Sequence, residues 1–293
     1  MQRYLNFFLN FTQEIIFMIS EKENIRLKNI AKEIRIDVLK SISAAGSGHT
    51  GGSLSSADIF TALYFNVMKH KPENPDWENR DKLVLSIGHI APLLYASLAN
   101  AGYFSKDELL SLRKLGSRLQ GHPGKDHGLP GIELSAGSLG QGLSVAVGMA
   151  LANKIDKKDS YIFCINGDGE LQEGSIWEAA MSASHHKLNN LISIVDRNFL
   201  QIDGKTEDVM KIEPLAEKWK SFGWEVFECD GHSFPEIIDS IEKAKQIKDK
   251  PSVIIANTIM GKGVSQIENN HNWHGKAPSE EELDGFIGEI GNI

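Results

Sequence analysis

The stretch that decides the fold is "YIFCINGDGELQEGSIWEAA", residues 161–180. Its first six residues form an apolar run typical of a buried strand; Gly167, Asp168 and Gly169 follow, and a helical pattern begins at Ser175. Glycines at such a junction permit a tight turn and a close approach of the backbone to an anion, and the Asp168 carboxylate can hold a divalent metal. For these three residues alone, a capped strand-to-helix turn is an equally good interpretation.

The same alternation of apolar runs and helical patterns continues on both sides of this stretch. Strands are predicted at 82–86, 161–166, 191–196, 224–230 and 252–258, and helices at 142–154, 175–186, 214–222 and 234–247. Strands that are apolar on both faces and alternate with helices indicate a parallel sheet with helices on both sides. Because crossovers are right-handed, we predict a doubly wound, mainly parallel α/β sheet.

The N-terminal 17 residues are apolar but do not resemble an export signal. They contain one basic residue, several polar interruptions and no small-residue cleavage site. A regular amphipathic pattern starts after Met18, with an apolar stripe that includes Leu27, Ile34 and Val38. We therefore expect residues 1–17 to be an extension, residues 18–293 to form a single domain, and the acidic tail after Lys276 to be loosely held.

Composition excludes several classes of function. The 293-residue chain carries a formal net charge of −8 and has no basic stripe, so a nucleic acid partner is not expected. No stretch is long and apolar enough for a membrane span. Cys164 and Cys229 lie in apolar runs without metal-ligand spacing, which indicates a reducing, cytoplasmic compartment.

A second set of oxygen donors follows the next predicted strand. "LISIVD" (191–196) leads into "RNFLQIDG", which places Asn198 and the Leu200 carbonyl at a strand end. Neighbouring parallel strands end at the same edge of a sheet, so these donors should lie beside Asp168. Amide, carbonyl and carboxylate oxygens are the ligands that Mg²⁺ and Ca²⁺ prefer.

These two stretches resemble thiamine diphosphate enzymes, in which a GDG turn is followed about thirty residues later by an Asn-containing strand end. Their detail is similar to transketolase in particular, and the resemblance extends from about residue 24 to residue 278. It matches the N-terminal, diphosphate-binding domain of that family. The resemblance implies metal ligation by Asp168, Asn198 and Leu200, and contact of the diphosphate with Gly167 and Gly169.

Four glycine-flanked histidines also match transketolase motifs: His49 in "SGHTGG", His89 in "LSIGHIAPLLY", His122 in "GSRLQGHPG" and His274 in "NNHNWHGKAP". The resemblance implies that His89 and His274 bind the cofactor, and that His49 and His122 contact the sugar hydroxyls. His122 and His274 are the candidates for proton transfer. Gly137, Ser138 and Leu139 resemble the loop that passes the cofactor rings.

The family resemblance also implies an activity and a partner. Transketolases move a two-carbon ketol (glycolaldehyde) unit from a ketose phosphate to an aldose phosphate through an enamine on thiamine diphosphate, as in the pentose phosphate pathway. Their pyrimidine-activating glutamate lies on a second domain that no segment of this chain matches. We therefore expect the N-terminal subunit of a split transketolase, with a C-terminal subunit carrying the pyrimidine-binding domain, in a dimer of heterodimers.

Two glutamates after the GDG turn have two interpretations. Acidic side chains favour a helix N-terminus, which explains Glu173 and Glu178 without any catalytic role. In transketolases, however, acidic residues at these spacings face the subunit interface and approach the pyrimidine-activating glutamate. The resemblance thus adds both residues to the catalytic candidates, as members of a proton wire between sites.

Some motifs depart from the usual transketolase pattern. The motif at His49 is "GHTGG" where the usual one is "GHPG", and the motif at His122 is "GHPG" where the usual one is "GHPE". The motif at Ser138 is "GSLGQG" where the usual one is "GPLGQG". These differences leave the identity of the donor sugar open. Met260 stands where some relatives carry a lysine, and Lys262 follows two positions later. Two alternatives remain: the α subunit of a 2-oxo acid dehydrogenase, which lacks the four histidines, and a non-catalytic relic, against which Asp168, Asn198 and His274 argue.

Overall fold

A five-stranded parallel sheet lies at the centre of the computed structural model, which describes residues 19–292. The extension predicted at residues 1–17 therefore lies outside the described residues. The strands are β1 (Lys82–Leu85), β2 (Ile162–Gly167), β3 (Leu191–Arg197), β4 (Leu200–Gln201), β5 (Gly204–Lys205), β6 (Glu225–Asp230) and β7 (Ser252–Asn257). The helices are α1 (Glu21–Ala45), α2 (Thr50–Ser55), α3 (Ala57–Ala62), α4 (Ala91–Asn100), α5 (Gly142–Ile155), α6 (Gly174–His185), α7 (Thr206–Val209), α8 (Leu215–Ser221), α9 (Phe234–Gln246) and α10 (Glu280–Gly291).

The sheet has the strand order β1-β2-β3-β7-β6, and every neighbouring pair in it is parallel. β4 and β5 form a separate antiparallel pair. All carboxyl ends of the central strands consequently lie at one edge of the sheet, where open α/β sheets bind their ligands. The sequence predicted the bounds of all five central strands to within one residue. It predicted the bounds of four helices, α5, α6, α8 and α9, equally closely.

Two apolar cores cover the two faces of the sheet because successive strand residues point to opposite sides. Phe163 and Ile254 pack on the face covered by α1, α3, α4, α9 and α10. Cys164 and Ile255 pack on the other face, against α5, α6 and α8. The doubly wound α/β architecture predicted from the sequence is confirmed.

The expectation of a loosely held tail after Lys276 is wrong. Residues beyond it form α10, whose first turn is fixed by a capping box between Ser279 and Glu282. Phe286 and Ile290 are buried against α1, and the ring of Phe286 lies 5.5 Å from that of Trp273. The acidic composition of the first turn hid this apolar stripe. Within residues 19–292, no helix is both long and apolar enough to cross a lipid bilayer.

Candidate functional site

The GDG turn connects β2 to α6 through one intervening turn of 3₁₀ helix, Gly169–Gln172. Gly167 is the last residue of β2, and neither glycine adopts a left-handed φ. A Cβ atom at Gly167 would lie 2.7 Å from Cγ2 of Ile87, so a side chain at this position would collide with the end of the neighbouring segment. The glycine is therefore required by close packing rather than by an unusual backbone angle.

Asp168 is buried at the centre of the turn. Its Oδ1 accepts from the Gly169 N–H at 2.8 Å, and its Oδ2 accepts from the Phe199 N–H at 2.6 Å and from Nη1 of Arg197 at 3.0 Å. Burial and the nearby Asp196 carboxylate raise the pKa of Asp168 to about 7, although the Arg197 charge opposes the shift. A divalent cation at this position would favour the ionised carboxylate.

The other two predicted metal ligands lie in the same cavity as Asp168. Parallel pairing of β2 with β3 brings them there, since Asn198 follows the last residue of β3. The Asn198 Oδ1 atom accepts from the Leu200 N–H at 3.0 Å, and its Nδ2 donates to Oδ2 of Asp196 at 3.2 Å. Asp168, Asn198 and Leu200 thus line one cavity, and their carboxylate, amide and carbonyl groups are donors that fit Mg²⁺ or Ca²⁺.

The structure brings all four predicted histidines into one cluster. The rings of His49 and His89 stack with centroids 4.6 Å apart and an interplanar angle of 5°. His274 lies edge-on to both at 5.6 and 5.8 Å, and His122 lies 5.5 Å from His89. His89 and His274 also line the cavity that contains Asp168. The histidine cluster and the oxygen donors therefore belong to a single site.

The environment of the cluster holds its imidazoles neutral near pH 7. Burial and the charges of the neighbouring imidazoles lower the pKa of His49 to about 3 and that of His89 to about 4. Burial also lowers the pKa of His122 and of His274, and in His274 the Asp203 carboxylate opposes the shift. A neutral imidazole presents one N–H donor and one nitrogen acceptor, which suits recognition of hydroxyl groups.

The loop that precedes α5 borders this cluster. A Cβ at Gly137 would lie 3.4 Å from Cγ of His122, and Leu139 lines the cavity. Ser138, the third residue predicted in this loop, is exposed. A Cβ at Gly88 would lie 2.8 Å from the backbone N of Gly137, so the loop packs tightly against the segment that carries His89.

The two glutamates after the turn occupy different positions. Glu173 is the N-cap residue of α6 and lines the cavity, whereas Glu178 lies one turn into the helix. Both side chains are exposed in this chain. Their role at a subunit interface stays a prediction.

Sequence reasoning missed Glu170, which is buried at the base of the site. Its Oε1 accepts from Oγ of Ser86 and from the Gly140 N–H, and its Oε2 accepts from Nδ2 of Asn166 and from the Gly167 N–H. The carboxylate thus joins the end of β2, the residue after β1 and the loop before α5. Its place directly after the GDG turn was the available signal.

Sequence reasoning also missed Asp196 and Arg197, the charged pair that ends β3. Both residues are buried in the structure. Asp196 accepts from the hydroxyls of Ser55, Ser56 and Thr258. A charged pair at the end of an otherwise apolar strand is a signal for such a site, because buried charges need partners.

Oxygen donors and neutral imidazoles at the carboxyl edge of a doubly wound sheet define this protein as an α/β cofactor-binding domain. The chain belongs to the transketolase family: the family model "Transketolase, thiamine diphosphate binding domain" matches residues 26–291. The resemblance inferred from the sequence is thereby confirmed.

Similar proteins include both short subunits and longer transketolases. The 6-deoxy-6-sulfo-D-fructose transketolase subunit of Clostridium sp. (strain MSTE9) is 45% identical over 269 residues, covering 92% of this chain and 98% of that protein. An apulose-4-phosphate transketolase subunit from Actinobacillus succinogenes is 45% identical over 266 residues, covering 90% and 95%. The solved transketolase from Leishmania mexicana superposes with a TM-score of 0.86 at 33% identity over 94% of this chain, which spans 42% of that longer chain.

Proposed function

We propose that this chain is the N-terminal subunit of a split transketolase and becomes active with a partner chain that carries the pyrimidine-binding domain. The observation that carries the proposal is the meeting of the histidine cluster with the oxygen donors of Asp168 and Asn198 in one cavity. Relatives of matching length are named transketolase subunits, which supports the same conclusion. In this proposal the domain comprises residues 18–293.

The residues present fit thiamine diphosphate and a divalent metal. Asp168, Asn198 and the Leu200 carbonyl would hold Mg²⁺ or Ca²⁺, because all three supply hard oxygen donors. Gly167 and Gly169 would contact the diphosphate, since both glycines line the cavity and lack side chains that would fill it. Leu139 and the Gly137–Ser138 backbone would border the cofactor rings.

When bound, thiamine diphosphate would supply the electron sink that makes cleavage of a ketose carbon–carbon bond possible. The chain's own contribution is orientation and proton transfer. His49 and His89, with the strongly lowered pKa values, are poor proton acceptors and would act as hydrogen-bonding partners. His274 is the better base, because the Asp203 carboxylate favours its protonated form, and we assign His122 to the same work on the sugar side.

The surface beside the cavity supports a partner subunit. Phe199, Ile202 and Met210 are large apolar side chains that are 44%, 62% and 60% exposed. Exposed apolar side chains grouped near a site indicate a protein interface. We propose that the subunit carrying the pyrimidine-activating glutamate binds this surface. We propose a dimer of heterodimers in the cytoplasm that acts on sugar phosphates, as in the pentose phosphate pathway.

Calorimetry and turnover measurements test this function together. Thiamine diphosphate with Mg²⁺ should bind weakly to the chain alone and tightly to its complex with a C-terminal transketolase subunit, and only the complex should transfer ketol units between sugar phosphates. Turnover of pyruvate in place of a ketose phosphate would favour a 2-oxo acid dehydrogenase subunit. Absence of cofactor binding in both preparations would favour the non-catalytic relic.

A further inference from the structure

A second cavity lies between α1, α3, the start of α9 and the segment after β7. It opens to solvent and has a volume of about 140 Å³, which is enough for several water molecules. Its lining shares no residue with the cavity that contains Asp168. The lining residues are Lys28, Lys32, Arg35, Asp58, His232, Phe234 and Lys262.

This cavity concentrates positive charge in a chain whose net charge is −8. Lys28 and Lys32 are one helical turn apart on α1, and within residues 19–292 neither has a carboxylate within 4 Å. The third lysine, Lys262, has only Glu268 at 3.7 Å. A depression lined by one sign of charge raises the local concentration of ions of the opposite sign.

The floor of the cavity is a fixed guanidinium rather than a flexible side chain. Arg35 is 4% exposed and donates from both Nη atoms to Asp58, at 2.9 and 2.7 Å. His232 donates from Nδ1 to the same carboxylate and accepts the Ile259 N–H at Nε2, so its ring is fully engaged. The carboxylate is thus saturated by its own partners and does not compensate the lysines. Lys32 donates to the Gly291 carbonyl at 3.4 Å and Lys262 faces Glu268, which leaves Lys28 without a described partner.

One buried donor at this cavity has no partner. The Nε–H of Arg35 is shielded from solvent and has no acceptor among the described residues. Because a water-sized probe does not reach this atom, it is not available to a ligand in the cavity, and the groups that face the ligand are the lysine ammonium groups. Arginine and lysine together are the usual ligands of phosphate.

We propose that this second cavity binds a phosphate group, either inorganic phosphate or the phosphate of a small metabolite. Lys28, Lys32 and Lys262 surround the anion, and Arg35 forms the floor. Lys262 then has a role outside the cofactor cavity. It does not replace the lysine that some relatives carry at position 260. Met260 itself is fully buried and lies beside α2.

Amine-reactive labelling followed by mass spectrometry tests the site in the intact wild-type chain. Millimolar phosphate, compared with chloride at the same ionic strength, should protect Lys28 and Lys262 from modification, by up to about tenfold at 90% occupancy. Lys40, on another face of α1, is the internal control and should keep its reactivity. Equal protection of all three lysines, or of none, would overturn the proposal.

Titration calorimetry with variants provides a second measurement. In the double variant Lys28→Gln/Lys262→Gln, phosphate affinity should fall by about tenfold or more, since two charged ligands are lost. Lys40→Gln removes one lysine charge from α1, the helix that carries Lys28, and should bind phosphate like the wild type. Unchanged affinity in the double variant would place phosphate elsewhere and refute the site.

Ribose 5-phosphate and inorganic phosphate distinguish the two sources of the ligand. Similar affinities for the two, with mutual displacement, support recognition of the phosphate group alone. Tighter binding of ribose 5-phosphate that is lost in the double variant supports a sugar phosphate. Binding of ribose 5-phosphate that the double variant retains belongs to the cofactor cavity and would count against this site.

Discussion

Replacing Glu170 with glutamine should destabilise the chain although the side chain keeps its shape. Each carboxylate oxygen accepts two hydrogen bonds: Oε1 from Ser86 and Gly140, and Oε2 from Asn166 and Gly167. A glutamine retains one acceptor oxygen, and its NH₂ group must then face two donors. No rotamer of the amide satisfies all four groups.

The magnitude follows from the number of donors left without an acceptor. If the NH₂ group faces Gly167 and Asn166, two buried donors are orphaned at about 1–3 kcal/mol each, a total of roughly 2–6 kcal/mol. If it faces Ser86, the hydroxyl rotates to accept and only the Gly140 N–H is orphaned. The free energy of unfolding should therefore fall by about 2 kcal/mol or more in the least costly case, once the lost charge is included.

Urea denaturation of the chain without cofactor measures this difference. Glu228→Gln, the same change at an exposed position on the edge strand β6, is the matched control and should stay within about 0.5 kcal/mol of the wild type. Faster hydrogen exchange at the amides of Gly140 and Gly167 should accompany the loss. Burial raises the pKa of Glu170, and a change below about 0.5 kcal/mol would show that the group carries a proton and does not hold the loop as a carboxylate.

Four further results are expected. Asp168→Ala should abolish Mg²⁺-dependent thiamine diphosphate binding in calorimetry, whereas Asp208→Ala at an exposed position should not; retained affinity would refute the metal assignment. His49→Ala and His122→Ala should lower kcat of the assembled enzyme at nearly unchanged cofactor affinity, and a large loss of that affinity would move them to the cofactor side. Folding lowers the pKa of His49 from 6.5 to about 3, so on acidification the unfolded chain binds a proton at this group before the folded chain does. The free energy of unfolding should therefore decline as the pH falls from 6.5 towards 3. In His49→Gln that decline should be shallower by up to about 1.4 kcal/mol per pH unit, and parallel curves would contradict the shift. Glu173→Gln in the complex should slow cofactor activation while folding is preserved, and unchanged activation kinetics would favour the helix-end interpretation.

The sequence predicted the sheet well because four of its five strands are apolar runs that are almost entirely buried, and because helical patterns lie between most of them. It failed for the region of α2 and α3. All six residues of α3 are buried, and so are five of the six residues of α2. A helix that is enclosed on every side has no polar face, and the periodicity that marks a surface helix disappears.

Some residues of the site could be predicted from short local motifs, whereas others depend on contacts between distant parts of the chain. Asp168 was predictable because it interrupts a strand-to-helix junction, and the histidines because each lies in a short recognisable motif. The role of Glu170 depends on Ser86 and Gly140, which lie 84 and 30 positions away along the chain. No local pattern specifies that a carboxylate after the turn points inward to join three segments.

Arg197 joins three acidic side chains that lie in two different segments of the chain, and the sequence does not show these pairings. Its Nη1 donates to Asp168 at 3.0 Å, while Nη2 donates to Glu207 at 3.2 Å and Glu213 at 2.8 Å. Breaking such a buried set by removing one partner is costly, because the remaining charge is left without compensation. The segment that contains both glutamates also contains the exposed Met210, assigned above to the partner interface. One arginine therefore connects a predicted metal ligand to the segment assigned to that surface, and removing it would leave the Asp168, Glu207 and Glu213 carboxylates without their shared cation.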